Sequence, residues 1–281
     1  MALVLAGLIV FGASTVMSIA GLGATGFYVP LFFWLGVPLR EALPTALFLN
    51  VVALSLATFN YIRYGLVDFR IGLPLVSTAL LFAPLGVLTS QLISRDLLLF
   101  LFAGFLVLAA LFMLFYRPRM TGTHVTAAEA GGDPETANVA GSRPIGPNRP
   151  SLVVSWLRDT KKLTIGSGVG ALAGYVAGLL AIGGGIVVIP ALVFLRYPPK
   201  VVVATTGLVA FSASLSGFVS HIFFGQLNHS LLLGAGVAAA GGALAGSWLV
   251  CRCRLSSTRF KTFIGVLMLF IALKLVADLV F

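Results

Sequence analysis

Apolar residues fill most of this chain in long, nearly uninterrupted runs, and polar residues gather in the short stretches between them. A helix needs about 20 apolar residues to cross a bilayer, and eight runs approach or exceed that length. They are Leu3–Ala20, Ala42–Tyr61, Ile71–Ile93, Leu97–Tyr116, Leu163–Ile182, Val201–Phe224, Ser230–Val250 and Phe263–Phe281. Two further runs, Phe27–Val37 and Ile186–Leu195, are too short to cross upright. Because the runs lack the alternation typical of outer-membrane strands, they predict an all-α, polytopic helical membrane protein.

The composition supports this interpretation. Of the 281 residues, 59% are hydrophobic and 9% are charged, whereas about a quarter of the residues of a soluble protein are charged. The net charge of +10 comes from Lys and Arg scattered at the ends of the runs, so we expect no nucleic-acid partner. The two cysteines have no His or carboxylate nearby, and we expect neither a metal nor a cofactor.

The chain also contains an internal repeat, which appears when it is shifted by 160 residues without a gap. The coincident positions are Gly23 and Gly183, Pro30 and Pro190, Pro38 and Pro198, Thr45 and Thr205, Gly65 and Gly225, and Gly86 and Gly246. Since glycine and proline report backbone geometry, the two halves are predicted to bend at the same places. We divide the chain into a first transmembrane repeat over 1–116, a hydrophilic linker over 117–162 and a second transmembrane repeat over 163–281.

The distribution of positive charge predicts how the halves are oriented. We interpret Leu3–Val37 and Leu163–Leu195 each as a helix, a break and a short returning helix, followed by three spans. That odd number inverts the second half relative to the first. Lys and Arg in short loops stay in the cytoplasm, and the inverted arrangement places fifteen of them inside and only Arg40, Arg95 and Lys274 outside. Both termini are therefore predicted to be extracytoplasmic and the linker cytoplasmic.

Glycine-rich breaks are the first candidate for chemistry. One comprises Gly183, Gly184 and Gly185 before Pro190, and its counterpart comprises Gly23, Ala24, Thr25 and Gly26 before Pro30. Glycine lets a ligand approach the main chain closely, and a helix that begins there presents unpaired N–H groups and a positive dipole end. Duplicated breaks in a membrane protein indicate a midplane ligand site. The alternative is that the glycines only permit close helix packing.

Polar residues of the next spans are the second candidate. Thr205, Ser212, Ser216 and Ser220 are spaced to lie along one helical stripe, with Thr206 beside them and Thr45 equivalent to Thr205. Asn50 lies deep in the corresponding span of the first half and needs a partner there. Such hydroxyls could line a path for an anion, although they are equally common at helix contacts.

The last candidate residue is His221, and charged residues are absent from the middle of the predicted spans. His221 could couple transport to protons, although a histidine at the interface, satisfied by water, is the favoured interpretation. No Asp, Glu, Lys or Arg lies deep within a span. Helix dipoles and hydroxyl groups would therefore have to hold an anionic ligand without a fixed cation.

These motifs, in their order, resemble the sulfite exporter TauE/SafE family, also called the toluene sulfonate uptake permease family. The residues that carry the resemblance are the glycine-rich break, Pro190, Pro198, Lys200, Thr205 and Thr206, with Pro30, Pro38, Ala42, Thr45, Asn60, Tyr61, Ile62, Arg63, Gly65 and Asp68 in the other half. The resemblance implies an inner-membrane transporter of anions such as sulfite and sulfonates, including sulfoacetate and compounds derived from taurine.

Our leading hypothesis is a secondary transporter, not an enzyme, that moves a small sulfur-containing anion by alternating access. A transporter of another small organic anion and a non-transporting scaffold or assembly factor are the alternatives, and a scaffold would depend on the linker segment Thr121–Pro150. The expected partners are a small anionic substrate and the lipid bilayer, with a homo-oligomer left open.

Overall fold

A computed structural model describes residues 7, 10–15, 25–115, 160–195, 197, 199–224, 229–252 and 257–280. In these ranges every regular element is an α-helix, which confirms the predicted fold class. The helices are α1 (10–15), α2 (Thr25–Trp34), α3 (Leu39–Arg63), α4 (Phe69–Leu92), α5 (Arg95–Phe115), α6 (Thr160–Leu180), α7 (Gly185–Phe194), α8 (Pro199–Ile222), α9 (His229–Arg252) and α10 (Ser257–Val280). The linker lies outside the described residues, except that α6 begins at Thr160.

The helix bounds reproduce the 160-residue shift. The short helix α2, Thr25–Trp34, is equivalent to α7, Gly185–Phe194, and both helices contain 10 residues. In the same way α4, Phe69–Leu92, is equivalent to α9, His229–Arg252, and both contain 24 residues. Each half therefore has a short helix in the same place, followed by three long helices.

Helices α3 and α8, which are equivalent, pack against each other in opposite directions. Asn50 of α3 bonds to Ser214 of α8 at 2.8 Å. Leu47, earlier on α3, contacts Gly217, later on α8, whereas Thr58, later on α3, lies beside Gly207. Residue numbers thus rise on one helix as they fall on the other. Since the two helices are related by the repeat, the two halves are inverted, as the charge pattern predicts.

The closest helix packing joins the halves through glycines. Along α6, Gly170, Gly174 and Gly178 lie against Leu75, Ala79 and Ala83 of α4, and a Cβ at each glycine would collide with the backbone of α4. Both series advance in steps of about four residues, so α4 and α6 run parallel. At the equivalent contact of the other half, the Ser14 hydroxyl of α1 donates to Ala239 O of α9 at 2.7 Å. Small residues allow such close approach in membrane helices.

Among the residues that the structure describes, four helical segments are long and apolar enough to cross a bilayer. They are Leu39–Arg63, Phe69–Leu92, Arg95–Phe112 and Val201–Ile222. Large apolar side chains such as Leu73, Leu81 and Phe100 are well exposed on their outer faces, where lipid rather than water is the natural neighbour. The turn between α3 and α4 fits its residues, because Gly65 adopts a φ of +64° and the Asp68 carboxylate accepts from Arg70 N at 3.0 Å.

Candidate functional site

The glycine break between α6 and α7 is a sharp, buried turn. Gly183 and Gly184 have φ values of +77° and +68°, in the left-handed region that favours glycine. Gly184 is the residue that caps α7, and a Cβ there would lie 2.8 Å from Ala173 O of α6. The first hydrogen bond of the α-helical type in α7, from residue i to residue i−4, is donated by Val188 N to Gly184 O. The N–H groups before it, at Gly185 and Ile186, belong to the unpaired first turn of the helix.

This break lies inside the protein, at the level of the middle of α8. Residues 181–186 are all buried, and Ala181 and Ile182 belong to the main hydrophobic core. Val188 of α7 packs in one buried cluster with Val209 and Ala213 of α8. The break is therefore buried in the protein rather than exposed to lipid, and in such a setting the dipole of α7 is least screened.

The equivalent break of the first half is described only in part. Gly23 and Ala24 lie outside the described residues, and α2 begins at Thr25. A Cβ at Gly26 would lie 3.3 Å from Leu106 Cδ2 of α5 and 3.7 Å from Met268 Cε of α10. Because both neighbours lie near the middle of long helices, α2 also begins at the mid-depth of the bundle. Pro30 and Pro190 lie within α2 and α7 without ending either helix.

A fully buried polar pair, formed by Asn50 and Ser214, lies close to the centre of the α3–α8 pair. Both side chains are fully buried, and Asn50 Nδ2 donates to Ser214 Oγ at 2.8 Å. The other end of the amide, Oδ1, has no partner among the described residues. Since a hydroxyl both donates and accepts, the amide can turn and present its NH₂ group to an anion instead. The pair lies about half a turn from Val52 and Ser212, which are equivalent residues at the same level, the centre of the α3–α8 pair.

Thr45 and Thr205 do not lie together. Each is seven residues from the centre, in opposite directions, so about 20 Å of helix separates them along the bundle. Both are fully buried. The Thr45 hydroxyl donates to Glu41 O at 2.7 Å, and Thr205 Oγ1 accepts from Asp68 N at 3.2 Å. These two residues satisfy backbone groups near helix ends rather than a shared ligand.

The hydroxyl stripe of α8 faces α4. The buried Ser212 donates to Leu208 O within its own helix, and Ser216 donates across to Leu80 O of α4 at 2.8 Å. Ser216 and Ser220 line an apolar groove of about 650 Å³ between α4 and α8. Thr206 lies off this stripe, is fully buried, and has no partner for its hydroxyl in the described part of the chain.

His221 lies inside the protein rather than at a water-exposed interface. Its side chain is 2% exposed, and no described group bonds to its Nε2. The structure therefore surrounds the imidazole with protein groups, and proton coupling by His221 stays a prediction. The histidine lies in the last turn of α8, far from the break between α6 and α7.

The buried interior is polar without being charged. Among the residues whose burial is described, the buried polar side chains are Ser14, Thr45, Asn50, Thr58, Ser90, Thr205, Thr206, Ser212, Ser214 and His221. No Asp, Glu, Lys or Arg is in this set. A ligand at the centre would therefore be held by hydrogen bonds and by the positive end of α7.

Comparison with known proteins decides the family. The sequence matches the family Sulfite exporter TauE/SafE over residues 6–275. The chain belongs to the sulfite exporter TauE/SafE family. This TauE/SafE chain is also 27% identical over 242 residues to the Probable membrane transporter protein YunE of Bacillus subtilis (strain 168), an alignment that covers 80% of this chain and 79% of the relative. No solved structure matches the chain. The protein is thus a membrane transporter and not an enzyme.

Two buried polar residues of this TauE/SafE protein were not predicted as site residues from the sequence. Ser214 bonds to Asn50, and Thr58 is 4% exposed with its hydroxyl unpartnered in the described structure. Neither falls on the stripe that contains Ser212 and Ser216. A search for residues that face across the antiparallel α3–α8 pair would have found both, but it requires the inverted pairing to be known first.

Proposed function

We propose that this protein carries small sulfur-containing anions, such as sulfite and sulfonates including sulfoacetate and taurine-derived compounds, by alternating access across the cell inner membrane. The observation that carries the proposal is the buried start of α7, with its left-handed Gly183 and Gly184, at the level of the Asn50–Ser214 pair. Membership of the sulfite exporter family favours sulfur oxyanions among small anions.

The proposed ligand site is complementary to one small anion. Gly183, Gly184 and Gly185 offer main-chain N–H groups at a positive helix end, and the Asn50 amide offers a neutral donor close to the centre. The lack of a buried Lys or Arg in the described interior keeps the anion loosely enough held to leave again. A fixed buried cation would bind it more tightly and slow its release.

The inverted halves support the proposed mechanism. Inverted repeats with discontinuous helices are the common architecture of carriers that alternate between two open states. In the proposed orientation the termini are extracytoplasmic and the linker is cytoplasmic. A small anion and the lipid bilayer are the proposed partners, and the spans leave room for a homo-oligomer on their lipid-facing sides.

The experiment is a flux assay with radiolabelled sulfite, and then labelled sulfonates, on purified protein in liposomes. We expect wild-type protein to move sulfite and the Asn50→Leu variant to move it about tenfold more slowly, since a hydrogen bond to a charged group contributes about 1.5–3 kcal/mol. Asn60→Leu is the matched control, because Asn60 lies on the same helix but at its end, and it should retain the wild-type rate. Folded wild-type protein that moves none of these anions would refute the proposal.

A further inference from the structure

Many hydroxyl groups in the described helices already donate to a carbonyl group. A Ser or Thr inside a helix commonly donates to the carbonyl three or four residues earlier. The described residues that do so include Thr15, Thr45, Ser55, Ser77, Thr78, Thr89, Ser90, Ser212 and Ser220. Thr58 and Thr206 differ, because both are buried and neither hydroxyl has a partner in the described residues.

These two threonines lie at the same level of the α3–α8 pair. Thr58 Oγ1 lies 3.7 Å from where a Cβ on Gly207 would be, and Thr206 precedes Gly207 on α8. Thr58 is eight residues beyond Asn50 on α3. Thr206 is eight residues before Ser214, the hydrogen-bond partner of Asn50, on α8. Eight residues of helix span about 12 Å, so the threonines form a second polar level at that distance from the Asn50–Ser214 pair.

The two unpartnered threonines have no counterparts at the equivalent positions on the other side of the centre. The residues equivalent to Thr58 and Thr206 under the repeat are Phe218 and Ala46. On that side the Phe218 ring packs against Phe48 with 5.2 Å between centroids. Because helix packing there needs no hydroxyl groups, the threonines opposite are not a requirement of the fold.

The end of the pair beyond Thr58 and Thr206 carries positive charge. Arg63 ends α3 and Arg70 lies in the first turn of α4. These helix ends meet the start of α8, where Asp68 N donates to Thr205 Oγ1. A mouth with basic side chains attracts anions toward the polar level.

We propose that Thr58 and Thr206 form a second oxyanion subsite, between the central Asn50–Ser214 pair and the end that carries Arg63 and Arg70. The subsite rests on the proposed function, and its ligand is an oxygen of the transported anion. Two unpartnered donors require an acceptor, and in the described interior no buried carboxylate supplies one. The anion would be passed between this subsite and the central pair during transport.

The test is sulfite flux in liposomes with the double variant Thr58→Val and Thr206→Val. Valine has the shape of threonine, so packing is kept while both donors are lost. We expect the initial rate to fall about tenfold or more, because each donor is a hydrogen bond to a charged oxygen. Thr78→Val is the matched control, since the Thr78 hydroxyl donates to Pro74 O at 2.8 Å, and it should leave the rate unchanged.

A second pair of substitutions separates hydrogen bonding from packing. The variant Thr58→Ser and Thr206→Ser keeps both hydroxyl groups and loses two methyl groups, and it should transport at least half as fast as wild type. A valine variant at the wild-type rate, or a serine variant as slow as the valine variant, would overturn the subsite while leaving the central site intact. Wild-type protein that moves no sulfite would overturn the proposed function and the subsite together.

Discussion

The two short helices α2 and α7 occupy equivalent places in the repeat, yet they are held very differently. The C-terminal end of α2 is held by three contacts with α5 and α10, which we call the clamp. Arg95 lies 5.0 Å from the Phe33 ring, Lys274 Nζ lies 4.2 Å from the Trp34 ring, and Trp34 Nε1 donates to Asp278 Oδ2 at 2.9 Å. At the equivalent end of α7, Phe194 is 88% exposed. Cation–π contacts and a charge-assisted hydrogen bond thus stabilise α2, and none is found at α7 among the residues whose side chains are described.

The packing around the two short helices differs in the same way, since α2 is packed more tightly than α7. Tyr28 and Phe32 of α2 are fully buried in the main core. Helix α7 begins at a glycine turn, and a cavity of about 80 Å³ lies beside it, lined by Ala191 and Leu195. We infer that α2 is a fixed support and that α7, where the proposed anion site lies, is the short helix that moves.

The largest effect is expected from Gly184→Val at the start of α7. Valine would have to adopt a φ of +68° with its Cβ 2.8 Å from Ala173 O, so the break must open. We predict at least a hundredfold loss of sulfite flux with normal insertion into membranes. The control is Gly168→Val, where a Cβ meets nothing within 4 Å. Wild-type sulfite binding by Gly184→Val would show that the break is only structural.

Much of the fold could be predicted from the sequence, because the repeat is read directly from Gly and Pro. The coincidence of Pro30 with Pro190 and of Gly86 with Gly246 predicts helix bounds that the structure places at equivalent positions. The inversion followed from counting Lys and Arg. The repeat of Gly and Pro and the distribution of Lys and Arg can both be read from the sequence and the membrane setting. Neither prediction requires knowing which side chains pack together.

The site was less predictable because it depends on which helix faces meet. Asn50 was correctly expected to need a partner, but the partner, Ser214, lies 164 residues away. The spacing that grouped Ser212 with Ser216 describes a helix face and cannot say that this face packs on α4. Burial of His221 likewise depends on neighbouring helices that the sequence pattern does not identify.

A smaller effect is expected from weakening the clamp on α2. Trp34→Phe removes the hydrogen bond to Asp278 and weakens the contact with Lys274. We predict that the free energy of unfolding falls by about 1–2 kcal/mol, measured by thermal unfolding in detergent. Phe194→Leu is the equivalent substitution on α7 and should change stability by less than about 0.5 kcal/mol. Equal losses in the two variants would contradict the difference between the helices.

The smallest effect tests whether α7 can be made to resemble α2. The residue equivalent to Ala191 is Leu31, which packs against the main core. Ala191→Leu should fill the cavity beside α7 and stabilise the protein by about 1 kcal/mol, seen as a higher unfolding temperature. If transport requires α7 to move into that space, sulfite flux should fall about threefold with unchanged sulfite affinity. An unchanged rate in the stabilised variant would show that α7 does not move there, and the distinction between a fixed and a moving short helix would then fail.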